Sequence, residues 1–221
     1  MFHVKHSTDA ADGSMVSRED QVNSIAQWLA ERGRALAPEQ NQRLLEYQRL
    51  LYQASGKTNL ISFRDRENLP VRHILPSLNM GVPMSLLPNR RVLDFGSGAG
   101  IPGIPLKILF PMSSFVLVES RRKRANFLRD TIRRLGLQEI EVLNVRIEDV
   151  HQELANCMDL VVTRAAVDLT SLWRWVAPVL KVHGFAITTL GESRGYQSAA
   201  AVILRKKTEG LDQTNWFGVV R

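Results

Sequence analysis

The sequence predicts an α/β fold, a doubly wound and mostly parallel sheet preceded by a helical N-terminal extension. Three observations predict it. From residue 90 onward, short apolar runs alternate with helical patterns, the signature of a parallel sheet with crossover helices. One run, Arg91-Val-Leu-Asp-Phe95, flows into Gly96-Ser-Gly-Ala-Gly100 and then into a helical segment, as in nucleotide-binding α/β domains. Residues 17–80 show helical periodicity only.

Residues 1–16 read as a flexible polar tail, and Met1 to Ser14 has no apolar segment of the kind a secretion signal carries. The helical extension spans 17–88. Ser17 precedes a pattern with Val22, Ile25, Trp28 and Leu29 on one face, ending near Gly33. Pro38 opens a second helix with apolar positions 44, 47, 50 and 51, and Lys57-Thr-Asn-Leu-Ile-Ser62 breaks it. A third helical segment runs through Val71, Ile74, Leu75 and Leu78. Such an extension is expected to pack against the sheet domain or to cover its substrate face.

The sheet domain occupies 89–221, with strands expected at 91–95, 115–119, 140–144, 159–163, 184–190 and 215–220 and a weaker one near 200–205. The first crossover helix is expected to start at Pro102, where a missing N–H costs nothing because first-turn donors have no acceptor within the helix. The second, Arg121–Leu135, buries Ala125, Leu128, Ile132 and Leu135 and carries seven basic residues, among them Arg122, Arg129 and Arg133.

The chemistry is expected at the first glycine turn. Glycine lets bare backbone approach a ligand at φ values other residues resist. Two features separate this loop from a dinucleotide site, namely the G-x-G-x-G spacing and Asp94, an acid two residues before the first glycine. A pyrophosphate wants a helix N-terminus and no carboxylate. S-adenosylmethionine (SAM) has no phosphate, and its sulfonium and amino groups are cationic, so an acid at the strand end suits it better. Glu119, ending the next strand 19 residues beyond Gly100, is placed to accept the ribose hydroxyls of an adenosine. The plainer readings are that the loop is only a turn and Glu119 only a helix cap. Asp94, Gly96, Gly98, Gly100 and Glu119 together predict a Rossmann-like class I SAM-dependent methyltransferase fold with a seven-stranded, mostly parallel sheet.

Composition narrows the setting. Hydrophobic residues at 44% and charged residues at 23% are globular values. The single cysteine, Cys157, excludes an internal disulfide and fits a reducing cytoplasm. The five histidines are scattered without ligand spacing, so no metal site is expected. No stretch approaches a membrane span. A net charge of +7 favours a polyanionic partner, most simply nucleic acid.

The tip of the fourth strand reads Val161-Val-Thr-Arg-Ala-Ala166. It lacks the Asn or Asp followed by Pro-Pro and an aromatic that clamps an exocyclic amine. Cys157 precedes the strand and reads as a small buried residue, not as the nucleophile that carbon-5 methylation requires. What remains is a nucleophile that needs no activation, such as a ring-nitrogen lone pair; guanine N7 is one. Neither cysteine nor histidine is then expected in the chemical step. Arg164 has two readings, a structural ion pair with Glu148 or Asp168, or a residue that lines the cofactor pocket or grips RNA. Arg146-Ile147-Glu148 follows the third strand, where this architecture seats the adenine, with Ile147 beneath it.

From about residue 57 to 185 the chain resembles the bacterial glucose-inhibited division protein B family of small-subunit ribosomal RNA methyltransferases. The resemblance rests on Lys57-Thr-Asn-Leu-Ile-Ser62, Arg72-His-Ile-Leu-Pro-Ser-Leu78, Asp94 to Pro105, Val118-Glu-Ser120, Phe127-Leu128, Arg146-Ile-Glu148 and Thr163-Arg-Ala165. It implies SAM-dependent N7-methylation of a guanosine in the 530 loop of 16S rRNA, in free rRNA or an assembling small subunit, with no membrane or obligate protein partner. By position it implies SAM contacts from Gly96, Ile101, Ile147, Glu148 and Arg164, and a substrate side shaped by Asn59, Arg72 and Arg146. RNA contacts are expected from Arg72, Arg122, Arg129 and Arg133. The chain departs from the family pattern at Leu190, where lysine is usual, at Pro76, where an acid is common, at Ile147, often alanine, and around Trp216-Phe217, where a late basic residue has no counterpart. The competing readings are a nicotinamide-dependent oxidoreductase, a non-catalytic RNA-binding protein on the same fold and a small-molecule methyltransferase.

Overall fold

The computed structural model describes residues 26–27, 29–31, 35–55, 60–61, 69–81, 89–164, 168–190, 200–206 and 214–220. Seven strands form one sheet in the order β3-β2-β1-β4-β5-β6-β7. They are β1 (Arg91–Phe95), β2 (Ser114–Val118), β3 (Ile140–Leu143), β4 (Met158–Thr163), β5 (Leu180–Leu190), β6 (Ala200–Lys206) and β7 (Thr214–Val220). The first five pair in parallel, and β6 and β7 close one edge antiparallel. The weaker strand near 200–205 is therefore a full member of the sheet. β5 begins at Leu180, earlier than position 184, because a register irregularity opposite Met158 and Leu160 extends its pairing.

Why the strands read so plainly follows from their surroundings. Val92, Leu93, Phe115, Val116, Leu117, Val118, Leu160, Val161 and Val162 are all buried. A parallel strand covered on both faces loses the alternation of an exposed strand and becomes a continuous apolar run. Helices α3 (Gly103–Leu109) and α4 (Arg122–Arg134) pack on one face through Ile104, Leu106, Ile108 and Leu128. Helices α5 (Ile147–Leu154) and α6 (Leu169–Val176) cover the other through Val150, Leu154, Leu172, Trp173 and Val176.

The extension supplies a third layer. Its helix α1 (Pro38–Ser55) buries Leu44, Tyr47, Leu50 and Leu51. A five-residue π-helical turn (Pro70–Ile74) runs directly into α2 (Leu75–Met80). Leu69, Ile74 and Leu78 join the α1 side chains in one cluster with Ile104, Ile108, Leu128 and Leu135. Extension and sheet domain thus share a core. Among the polar bonds that fasten the seam are those from Arg43 Nε to the Leu135 carbonyl at the end of α4 (3.2 Å) and from Gln40 Nε2 to the Ile108 carbonyl (2.8 Å).

Strand order reverses about β1. β2 and β3 lie to one side and β4 and β5 to the other, leaving a crevice at the carboxyl ends of β1 and β4, where α/β sheets of this kind bind ligands.

Candidate cofactor and substrate site

Asp94 is the penultimate residue of β1, in register with Leu117 of β2 and Val162 of β4, and is fully buried. Its Oδ2 accepts from the Gly103 N–H at 3.0 Å, whereas Oδ1 has no hydrogen-bond partner. Burial raises its pKa to about 7; the Gly103 N–H and nearby Ser97 hydroxyl pull it down, and the Glu119 charge adds to the rise. A buried carboxylate with an orphaned oxygen is costly unless a donor or cation meets it. An orphaned carboxylate oxygen fits a cationic ligand and repels a pyrophosphate.

The loop after β1 is built for close approach. Gly96, Gly98 and Gly100 take φ of +69°, +55° and +91°. A Cβ on Gly96 would meet nothing within 4 Å, so this backbone faces open space. On Gly100 it would strike Ile104 Cδ1 at 2.5 Å, and on Gly103 it would strike Asp94 Oδ2 at 2.5 Å. Gly96 leaves room for a ligand, while Gly100 and Gly103 let α3 approach β1. The sequence reading missed Gly103, because the pair it serves becomes visible only when the helix folds back onto Asp94.

Glu119 is 5% exposed and is bonded on both oxygens. Oε2 accepts from the Gly98 N–H at 2.9 Å and Oε1 from the Arg121 N–H at 2.7 Å, just before α4. It therefore caps that helix and ties it to the glycine loop. A carboxylate has about four lone-pair sites, so capacity for a ribose hydroxyl remains. Asn144, after β3, steadies the turn by donating to the carbonyls of Glu119 at 2.8 Å and Ser120 at 3.0 Å.

Three more contacts shape the crevice. Thr163 Oγ1 donates to the Phe95 carbonyl at 2.9 Å, stitching the tips of β4 and β1. Tyr47, with no exposed surface, donates from its hydroxyl to the Ala99 carbonyl in the glycine loop at 2.9 Å. Burial raises the Tyr47 phenol well above its usual range, with Asp94 raising it and Arg164 lowering it. The sequence places Tyr47 on an apolar face but cannot show where its hydroxyl goes.

Arg164, half-buried just after β4, points at the extension. Its Nη1 lies 3.2 Å from His73 Nδ1, and its Nη2 donates to the Arg72 carbonyl at 3.3 Å. Neither acid expected as its partner has that role in these contacts. Asp168 caps α6 by accepting from the Ser171 N–H at 2.9 Å, and Glu148 is exposed on the first turn of α5.

Asp94, Gly96, Gly98, Gly100, Ile101 and Glu119 thus converge around β1 and β2, and Arg164 lies across β1 from Glu119, two strand spacings or about 10 Å away. Arg146 is exposed and precedes α5, whose first residue is Ile147; the Ile147 side chain and all of Asn59 lie outside the described residues. Arg72 is exposed on the π-turn.

The basic helix divides. Arg122 opens α4 beside Glu119, whereas Arg133 is 11 residues on, roughly 16 Å along the axis toward the amino ends of the strands. Arg133 and Arg134 both pair with Asp130, and Arg129 donates to the Val142 carbonyl at 3.2 Å.

Fold and site together define a class I SAM-dependent methyltransferase. The chain belongs to the GidB family, whose model, described as rRNA small subunit methyltransferase G, matches residues 40–208. Relatives described as ribosomal RNA small subunit methyltransferase G include one from Rubrobacter xylanophilus, 36% identical over 91% of this chain and 75% of that protein. Another, from Moorella thermoacetica, is 35% identical over 82% of this chain and 77% of its own length. Among solved structures, a protein-L-isoaspartate O-methyltransferase superposes with a TM-score of 0.57 at 18% identity, covering 90% of this chain and 64% of that one. A putative enzyme of that type from Plasmodium falciparum, in complex with S-adenosyl-L-homocysteine, gives 0.52 at 17% identity, over 90% and 95%. At such identities these structures share the fold.

Proposed function

We propose that this protein transfers a methyl group from SAM to N7 of a guanosine in the 530 loop of 16S rRNA, in free rRNA or an assembling small subunit. The observation that carries the reading is the cradle at the β1 turn, a buried Asp94 with an unpartnered oxygen near Gly96, whose backbone faces open space, in a chain of this family. Asp94 would face the cationic end of SAM, Glu119 would hold its ribose, and the 96–101 loop would give it backbone contact. Ile147 and Glu148 would lie at the adenine.

When bound, SAM supplies a methyl group on a sulfonium that leaves as a neutral thioether. The guanine lone pair needs no base, so the protein has only to hold it in line. Positioning of that kind supplies about 7–11 kcal/mol. Cys157, the only thiol, precedes β4, seven residues and roughly 20 Å of strand from Arg164, too far to attack a base held in the crevice.

The surface supports an RNA substrate. Arg122, Lys123 and Arg124 sit in the first turn of α4, which has no acid. Cations at a helix N-terminus cost about 0.3–1 kcal/mol each, a cost that a nearby polyanion offsets. Arg72, Arg146 and Arg122 are exposed and would contact phosphate.

The test is purified protein, labelled SAM and small ribosomal subunits lacking the modification, followed by mapping of the methylated base. Label at N7 of one guanosine in the 530 loop is expected. Label on a ring carbon or an exocyclic amine, or none in rRNA, would overturn the reading.

A further inference from the structure

We infer that His73 is a positioning residue for methyl transfer, because its Nδ1 and the Arg72 carbonyl form a two-acceptor cradle that fixes the Arg164 guanidinium at the reaction face. The inference rests on the proposed function. A guanidinium donates five hydrogen bonds in a rigid fork and accepts none. At 3.2 Å from Arg164 Nη1, His73 Nδ1 must therefore be the acceptor, which makes the imidazole neutral with its proton on Nε2.

The second acceptor follows from the sequence of the turn. In a regular helix the Arg72 carbonyl would accept from the N–H of residue 76. That residue is Pro76, which has none. The chain widens instead into a π-turn, in which the Leu75 N–H reaches back to the Pro70 carbonyl. Arg72 is thereby able to offer its carbonyl to Arg164 Nη2 at 3.3 Å. Single π-turns recur at functional sites because they re-aim backbone groups in this way. Ile74 and Leu78, both fully buried, anchor the turn in the shared core.

Protonation of His73 would remove the Nδ1 lone pair and set two cations side by side. Around the cradle, among the described residues, stand Arg72 on the same turn and Arg164 just after β4, with Tyr47 from α1 within electrostatic reach of Arg164 and Asp94 from β1 within reach of Tyr47. Methyl transfer should therefore fall as pH drops through the histidine range. Asp94 titrates nearby, so the variants at position 73 must identify which limb is which.

Single-turnover transfer to small subunits, at saturating SAM, tests the cradle. Above the histidine range, His73→Ala should slow transfer roughly 10- to 100-fold, the range for a hydrogen bond to a charged group. SAM affinity should be unchanged. His73→Asn, whose Oδ1 can stand in for Nδ1, should recover most of the rate and lose the histidine limb. In an Arg164→Ala background, His73→Ala should add nothing. Undiminished transfer in His73→Ala, multiplicative losses, or an unchanged acid limb in His73→Asn would each overturn the inference. An NMR titration needs no rRNA and so separates this inference from the choice of substrate. Arg164→Ala should raise the midpoint of His73, and an unmoved midpoint overturns the cradle.

Discussion

Asp94 carries two opposing demands. Its pKa, raised by burial to about 7 from an ordinary aspartate value of about 4, means that the folded chain holds a proton the unfolded chain has released. Between those values the native state binds more protons, so this group's contribution to stability falls as pH rises and is lost above about 7. A cationic ligand reverses the preference and favours the carboxylate. SAM binding should thus strengthen as pH rises through neutrality and should release protons. Asp94→Asn should raise the melting temperature of the free protein in mild alkali while weakening SAM at least about 10-fold, the scale of one charge-assisted hydrogen bond. Calorimetry in buffers of different ionisation enthalpy measures the proton count directly; zero protons released would remove Asp94 from the cation site. Glu119→Ala tests the other carboxylate. It should weaken SAM by roughly 10- to 100-fold, and because Glu119 also holds the Gly98 and Arg121 amides, it should lower the melting temperature as well. A folded variant with wild-type SAM affinity would leave Glu119 a helix cap alone.

Elements differ in how far their sequences announce them. β1, β2 and β4 were legible because burial on both faces writes itself as an apolar run, and α4 because its apolar stripe repeats every 3.6 residues while six basic residues crowd the rest. The π-turn at Pro70–Ile74 was not legible, since apolar spacing does not tell a wide turn from a regular one. Gly103 and the Tyr47 hydroxyl were hidden for another reason, as each acts on an element distant in sequence. The position of α4 also changes what its charges are expected to do. Arg122→Glu, at the crevice edge, should weaken rRNA binding and reduce the log–log salt slope by close to one unit. Arg133→Glu, far along the helix and already paired with Asp130, should change neither by a comparable amount. Filter binding across a salt series decides it; equal effects would place the RNA along the whole helix. Tyr47→Phe leaves α1 packed but strips the Ala99 carbonyl of its donor. A buried polar group left unsatisfied costs about 1–3 kcal/mol, and the cost should fall on loop order and SAM affinity more than on rRNA affinity. Titrations with each ligand would show whether the two separate.

The whole molecule is a sheet domain whose site is completed from outside the sheet. Helix α1 grips the glycine loop through Tyr47, and the π-turn grips Arg164, so the extension works as part of the site as well as of the core. Seen in time, this architecture orders the chain's own maturation. Tyr47 and Ala99 are 52 positions apart, and His73 and Arg164 are 91 apart. Contacts spanning that much chain form late, because each must first overcome the entropy of closing its loop. On a ribosome the extension emerges first and must wait for β4 before Arg164 exists to be held. Refolding should accordingly show helix and strand signals recovering before SAM-induced fluorescence changes of the tryptophans, with a lag between them. The enzyme should be capable of transferring a methyl group only once its last long-range clasp has shut, and a protein that modifies ribosomal RNA would then become competent only after leaving the ribosome that made it.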